Sequence, residues 1–306
     1  DLVHEHVRWF GCPTSISFDV RAPAPGESER SGPGESERSG PGESERSAPG
    51  ESERSGPARS RSPARLEQAR RWVSGAVVRA SSGPVAGVLG LPSPPHYREH
   101  GDRGAPLVAL TFDDGPGPST PLILDILREA QAQATFFILG RHVAGFEAVL
   151  RRSAAEGHEL GNHGFSHRSL RGHPWRALRE LRATNRLIRA VTGTVPRLFR
   201  APHGYVSPSV VAAAALAGLT TVQWDLDTRD YTDRAAGGIR LAVREKACGG
   251  SVILMHDAAL NRGGVRGDRA DLERRAATVA ALPGVIDDLR ARGYHLRPAS
   301  AVLGAG

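Results

Sequence analysis

Leu110-Thr111-Phe112-Asp113-Asp114-Gly115-Pro116 sets two adjacent carboxylates at the close of an apolar run. Residues 106–112 read as a buried strand, and the acids fall at its carboxyl end, where open α/β sheets and barrels gather their sites. Paired acids in such a place are costly without chemistry to do. Asp, Gly and Pro are also ordinary turn residues, so the stretch by itself reads equally well as a turn. What separates the two readings is whether metal ligands and proton-transfer groups recur at the ends of later strands.

Working outward, apolar runs at 107–112, 134–139, 159–162, 198–201, 220–226, 251–255 and 294–296 alternate with helical stretches at 121–130, 175–191, 207–217 and 272–292. That is the pattern of parallel strands joined by helices, an α/β fold with about seven parallel strands in a closed or nearly closed barrel. A doubly wound open sheet is the alternative. No Gly-x-Gly-x-x-Gly follows the first run, which removes that fold's best-known nucleotide signature.

The third run ends in Gly161-Asn162-His163-Gly164-Phe165-Ser166-His167, with two histidines four residues apart. Residues at that spacing share a face of a helical turn, and two imidazoles with one carboxylate form a common open metal site. In isolation the pair reads as surface or capping histidines; beside Asp114 the metal reading gains. The fourth run continues as Phe199-Arg200-Ala201-Pro202-His203-Gly204, the fifth as Trp224-Asp225-Leu226-Asp227-Thr228-Arg229-Asp230-Tyr231, and the sixth as Leu254-Met255-His256-Asp257. One polar strand end is more often structural, but repetition at the same rim multiplies against chance.

Together these five segments resemble, in order and over about residues 105–300, the polysaccharide deacetylase domain, the NodB-type group also called carbohydrate esterase family four. The resemblance implies a distorted (β/α) barrel, a divalent metal, most often zinc with cobalt or another divalent ion possible, and hydrolysis of an N-acetyl group on an amino sugar polymer. By it, Asp113 is the general base, Asp114, His163 and His167 hold the metal, and His256 is the general acid. A backbone N–H at His203 is implied for the oxyanion, Arg200 is implied to pair with Asp230 and orient Asp113, and Pro202, Tyr231 and Leu254 are implied to line the substrate site. The division is chemically sound: three protein ligands leave positions open for water and a carbonyl, and a neighbouring carboxylate is free to take the water's proton.

Three positions depart from the family pattern. Gly164 stands where Ser or Thr commonly follows the first metal histidine, so a hydrogen bond steadying that loop is expected to be missing, at a cost in metal affinity. His203 replaces a more common aromatic, and Tyr231 replaces a common Trp. Three classes of function follow: N-deacetylation of peptidoglycan or chitin-like chains, O-acetyl esterase action on xylan or another glycan, and a non-catalytic glycan-binding or structural role. Intact Asp113, Asp114, His163, His167 and His256 weigh against the last, because binding alone needs no base, acid and metal.

The chain has 306 residues, ample for a sizeable core. Residues 1–25 read as an unstructured N-terminal segment. Over 26–57 the octapeptide Gly-Glu-Ser-Glu-Arg-Ser-Gly/Ala-Pro occurs four times with no large apolar residue, a disordered linker rather than a solenoid repeat, whose units would carry a hydrophobic face. Residues 58–95 read as a Pro/Gly-rich connector with a helix over 65–80, and 96–306 as the catalytic domain. The linker's net charge of −4 leaves +11 on the remainder. That charge is almost all Arg, with Lys246 the only lysine, and reads as base composition before it reads as an anionic partner. No zinc finger, aromatic RNA-binding signature or basic repeat favours nucleic acid.

No stretch is long and apolar enough to span a bilayer, and residues 1–20 lack the features of a signal peptide. Since the sequence begins at Asp1, an upstream export signal remains compatible with it, and the substrate class places the expected site of action outside the cytoplasm or at the cell wall, with the cytoplasm open as the alternative. Cys12 and Cys248 are too few for a disulfide framework and leave the redox compartment undecided. An acetylated glycan is the expected partner, and a monomer the expected state.

Overall fold

The computed structural model of the chain describes residues 96–232, 234–260 and 269–304. The expected N-terminal segment, linker and connector over 1–95, with the helix over 65–80, lie outside the described residues. Nine strands follow in chain order: β1 Tyr97–Arg98, β2 Leu107–Asp113, β3 Thr135–Ile138, β4 Glu159–Asn162, β5 Leu198–Phe199, β6 Thr220–Val222, β7 Leu226–Asp227, β8 Val252–His256 and β9 His295–Leu296. Around them lie helices α1 Thr120–Glu129, α2 Glu147–Ala155, α3 Pro174–Thr192, α4 Pro208–Leu216, α5 Ala236–Lys246, α6 Arg269–Ala291 and α7 Ala299–Leu303.

Every pairing is parallel, in the order β1-β6-β5-β4-β3-β2-β8-β7, with β9 paired to the start of β2. The sheet curls into a distorted (β/α) barrel. The run expected as one strand over 220–226 is two: β6 pairs with β5 and β1, and β7 pairs with β8. The continuous stretch thus bridges the two ends of the sheet. At the break, the Asp225 side chain takes a backbone role, its Oδ1 accepting the Val252 N–H at 2.6 Å and its Oδ2 accepting from the Ser251 hydroxyl at 2.9 Å and from Arg103 at 2.8 Å. This split and the two-residue edge strand β1 raise the expected count of about seven strands to nine.

Alternation in β2 decides where its acids point. Val108, Leu110 and Phe112 face outward into a cluster with Ile123, Leu124 and Leu127 of α1 and Leu282, Val285 and Ile286 of α6. Ala109 faces the barrel interior with Phe137, Leu198, Val222, Trp224, Val252 and Leu254. Thr111 and Asp113 share the inward phase. A strand buried on both faces needs apolar residues in both phases, which is why the sequence shows a continuous run.

The interior is narrow. A Cβ on Gly161 would lie 2.5 Å from the Phe137 ring, so β4 must carry glycine there for the ring to fit. Ala299, Val302 and Leu303 of α7 close the amino-terminal end of the barrel against Leu107 and Ala109, and the Ala299 N–H donates to Thr135 Oγ1 at 2.8 Å. With that end plugged, polar groups can gather only at the carboxyl ends of the strands.

Candidate active site

Asp114 leaves β2 with φ of 77°, and His167 and His203 both have φ of 58°. Left-handed backbone costs a non-glycine residue on the order of 1–2 kcal/mol, so three such residues at one rim mark a constrained site. Asp114 Oδ1 lies 3.4 Å from His163 Nε2 and 3.2 Å from His167 Nε2. It is buried, yet no hydrogen bond reaches it. His163 Nδ1 donates to the Arg200 carbonyl at 2.8 Å, which leaves the Nε2 lone pair facing Asp114.

A lone pair opposite an acceptor-only oxygen is unfavourable unless positive charge sits between them, so this donor set fits a divalent cation. Among the described residues, Asp114, His163 and His167 are the group of His, Cys, Asp or Glu donors that converges, with ligand atoms all within 4.8 Å of one another. His142 braces the turn from below, its Nδ1 donating to the Asp114 carbonyl at 2.8 Å.

Asp113 points inward beside this group, its Oδ2 3.9 Å from His163 Nε2. Its Oδ1 accepts from Arg200 Nη1 at 2.8 Å. Arg200 is wholly buried, also donates to Thr111 Oγ1 at 2.7 Å and the Gln223 carbonyl at 3.0 Å, and stacks over the Phe137 ring at 4.1 Å. The expected pairing of Arg200 with Asp230 does not form. Arg200 projects from the end of β5 into the barrel and reaches β2, whereas Asp230 follows β7 and lies against β8 and α6. There its Oδ1 meets His256 Nδ1 at 2.7 Å, and its Oδ2 accepts from the His256 N–H and the Thr278 hydroxyl, both at 2.8 Å. Arg275 stands 3.6 Å away.

Burial pulls the His256 imidazole toward neutrality, but the Asp230 charge and hydrogen bond, with Asp114 and Asp113 adding, push it up to about 9. Burial works the other way on Asp230, where the charge of His256, its hydrogen bond and Arg275 hold the carboxyl below its ordinary value. The pairing favours the imidazolium, with Nδ1 on Asp230 and Nε2 left for the site. Asp113 and His256 are register partners across β2 and β8, which brings the candidate base and acid together.

At the rim, His203 is exposed and packs edge-on against His167 with ring centres 4.4 Å apart, and Tyr205 lies on its other side at 5.3 Å. Tyr231, half exposed, stands edge-on to His256 at 5.4 Å, its hydroxyl donating to Asp227 at 3.1 Å. Pro202 and Leu254 are buried, Leu254 in the inner cluster one inward position below His256. Sequence reasoning missed Thr111, Gln223, Arg275 and Thr278 as supports. For the last two a signal existed: Asp271, Arg275, Thr278 and Leu282 fall at core spacing on α6 and are all buried. It also assigned nothing to Asp257, a buried acid that accepts from Thr120 Oγ1 at 2.7 Å and that burial pushes up to about 7.

The model of the polysaccharide deacetylase family matches residues 100–222. A chitooligosaccharide deacetylase of Bradyrhizobium sp. is 38 % identical over 209 residues, covering 66 % of this chain and 93 % of the relative. Among solved structures, a peptidoglycan N-acetylglucosamine deacetylase superposes with a TM-score of 0.62 at 29 % identity, covering 72 % of this chain and 97 % of that one. A family pseudoenzyme from Bacillus anthracis superposes with a TM-score of 0.60 at 26 % identity, covering 68 % and 69 %. The shared architecture thus spans active and inactive proteins, while the identity runs through nearly the whole length of the Bradyrhizobium relative. On that similarity the chain belongs to the polysaccharide deacetylase family, carbohydrate esterase family four.

Proposed function

We propose that the chain is a metal-dependent hydrolase that removes N-acetyl groups from N-acetylglucosamine polymers, peptidoglycan or chitin-like chains. The observation that carries this is the orphaned Asp114 Oδ1 facing two imidazoles, with a second carboxylate, Asp113, beside it and His256, paired to Asp230, across from it. Fold likeness alone would serve a pseudoenzyme equally well; an acid, a base and a converged ligand set would not be needed there.

Asp114, His163 and His167 would hold the cation, zinc in the first place, since two imidazoles and a carboxylate with open positions are a common catalytic zinc set. When bound, the cation supplies polarisation of the acetyl carbonyl and acidification of water. Asp113 takes the proton of the water whose oxygen bonds to the acetyl carbon. Its guanidinium partner Arg200 fixes its orientation. His256 passes its Nε2 proton to the sugar nitrogen as the carbon–nitrogen bond breaks, so that acetate and a free amine leave. Asp230 holds His256 in the donating tautomer and charge state. The His203 N–H would contribute to the oxyanion, Leu254 and Pro202 to the acetyl pocket, and Tyr231 to the wall of the sugar groove. All these groups come from one chain, so a monomer suffices, and a cell-wall substrate places its work outside the cytoplasm.

Acetate release measured side by side on chitin oligomers, peptidoglycan and acetylated xylan tests the reading. Release from the two N-acetylated substrates should stop with a chelator and return with zinc or cobalt. Release from xylan alone would favour an O-acetyl esterase, and chelator-insensitive release would overturn the mechanism.

A further inference from the structure

Residues 163–167 carry two of the three candidate cation ligands and two left-handed positions, Gly164 at φ 80° and His167 at φ 58°. The left-handed backbone at His167, a non-glycine residue, persists only when its surroundings determine it. Its first half is held at Gly164, whose N–H donates to Asn162 Oδ1 at 2.7 Å and whose carbonyl accepts from Thr184 Oγ1 at 2.9 Å and from the Gly140 N–H at 3.0 Å. In its second half the Phe165 carbonyl accepts from the Arg141 N–H at 3.2 Å, while both N–H groups turn to one side chain. The Phe165 and Ser166 N–H groups both donate to Glu180 Oε2 at 3.1 Å, and the Ser166 hydroxyl donates to Glu180 Oε1 at 2.9 Å.

Glu180 lies on the inner face of α3 and is 9 % exposed. No ion pair joins it to any Lys, Arg or His among the described residues, whereas the buried acids Asp113 and Asp230 each meet a cationic side chain. A buried carboxylate without a counter-charge is a poor device for stability. All three of its contacts fall on the two residues that immediately precede His167. The expected weakness at Gly164 is answered by the same arrangement: a left-handed backbone suits glycine, and the steadying bonds come from the helix side of the loop.

The geometry points to Glu180 as the positioning residue for His167, setting the site's affinity for its cation without touching the ion. This rests on the cation reading above. The three acceptor contacts fix residues 165–166, and so fix the direction in which His167 Nε2 leaves the loop. Partners that orient metal-bound histidines characteristically change metal affinity about 10–100-fold when removed.

The test is cobalt and zinc affinity of the full chain, by competition against a chromophoric chelator, with circular dichroism and melting recorded on the same metal-stripped samples. Glu180→Ala should weaken the cation at least about tenfold while the stripped protein stays folded. Glu180→Gln should stay within about threefold of the parent, because its amide oxygen can still accept both N–H groups. Ser166→Ala, which removes one contact and no helix residue, should weaken binding by a smaller factor and remains informative if Glu180→Ala does not fold. Parent-like affinity in folded Glu180→Ala would overturn the proposal, as would an equal loss in Glu180→Gln. Failure of the parent itself to bind either ion would overturn the cation reading and the positioning role with it.

Discussion

Asp113 and Asp114 are adjacent in sequence but face different environments. Asp113 is tied to a buried guanidinium, and Asp114 to two imidazoles. Asp113→Asn should therefore leave zinc or cobalt binding near the parent value and reduce acetate release by at least about a thousandfold, the scale on which single catalytic groups act. Asp114→Asn should lose the ion instead, which a chelator competition would show directly. Equal effects on binding and turnover in both variants would contradict this division. His256 offers a second prediction. Its folded value of about 9 lies above the ordinary 6.5, so its pairing with Asp230 stabilises the fold fully below about pH 6.5, and that contribution fades as pH rises through about 9. Melting temperature should fall over that interval, and Asp230→Asn should flatten the fall. Activity should lose its acid over the same limb, displaced downward when a cation adds positive charge nearby. These candidate residues stood out because each sits in a short local pattern at a strand end. The supports Arg275 and Thr278 showed only as core spacing on α6, which marks them as buried but does not say that they reach Asp230.

Among the elements, β3 and β4 meet through Phe137 and Gly161. A Cβ at Gly161 would stand 2.5 Å from the Phe137 ring, closer than real contacts allow. Gly161→Ala should destabilise the domain by about 1–3 kcal/mol through overpacking, read by chemical denaturation. Adding Phe137→Leu should recover part of that loss, because the two substitutions share one contact and cannot be additive. Recovery of nothing would place the strain elsewhere. The helices α1, α3, α4 and α6 and most strands were visible as period and run, but α2, α5, α7 and the break in 220–226 were not. Thr220, Val222, Leu226 and their neighbours read as one apolar stretch, and the Asp225 carboxylate mends the hydrogen-bond ladder where the backbone departs from it. A side chain standing in for a peptide group leaves no mark on apolar periodicity. Strand β1 escaped notice for a different reason: two residues are too few to show any period.

In the whole molecule, the described residues divide into a plugged amino-terminal end and an open carboxyl end. Val302 of α7 is 5 % exposed within that plug. Val302→Asp would bury a charge with no partner and should cost about 3–5 kcal/mol in denaturant unfolding. Below its lowered melting point the variant should keep its cation affinity, because the plug and the candidate site lie at opposite ends of the barrel. Loss of cation binding in a folded variant would show that the two ends are coupled. No described helix is long and apolar enough to cross a membrane.

Strand β2 has a further consequence, in the order in which the chain is made. It leaves the ribosome early among the barrel strands, yet its partners β8 and β9 lie at Val252–His256 and His295–Leu296. Asp113 has no register neighbour in His256 until the chain has been made as far as residue 256. A nascent or prematurely ended chain would carry both acids without the acid–base pair across from them. A chain ended before residue 256 would lack that register neighbour altogether.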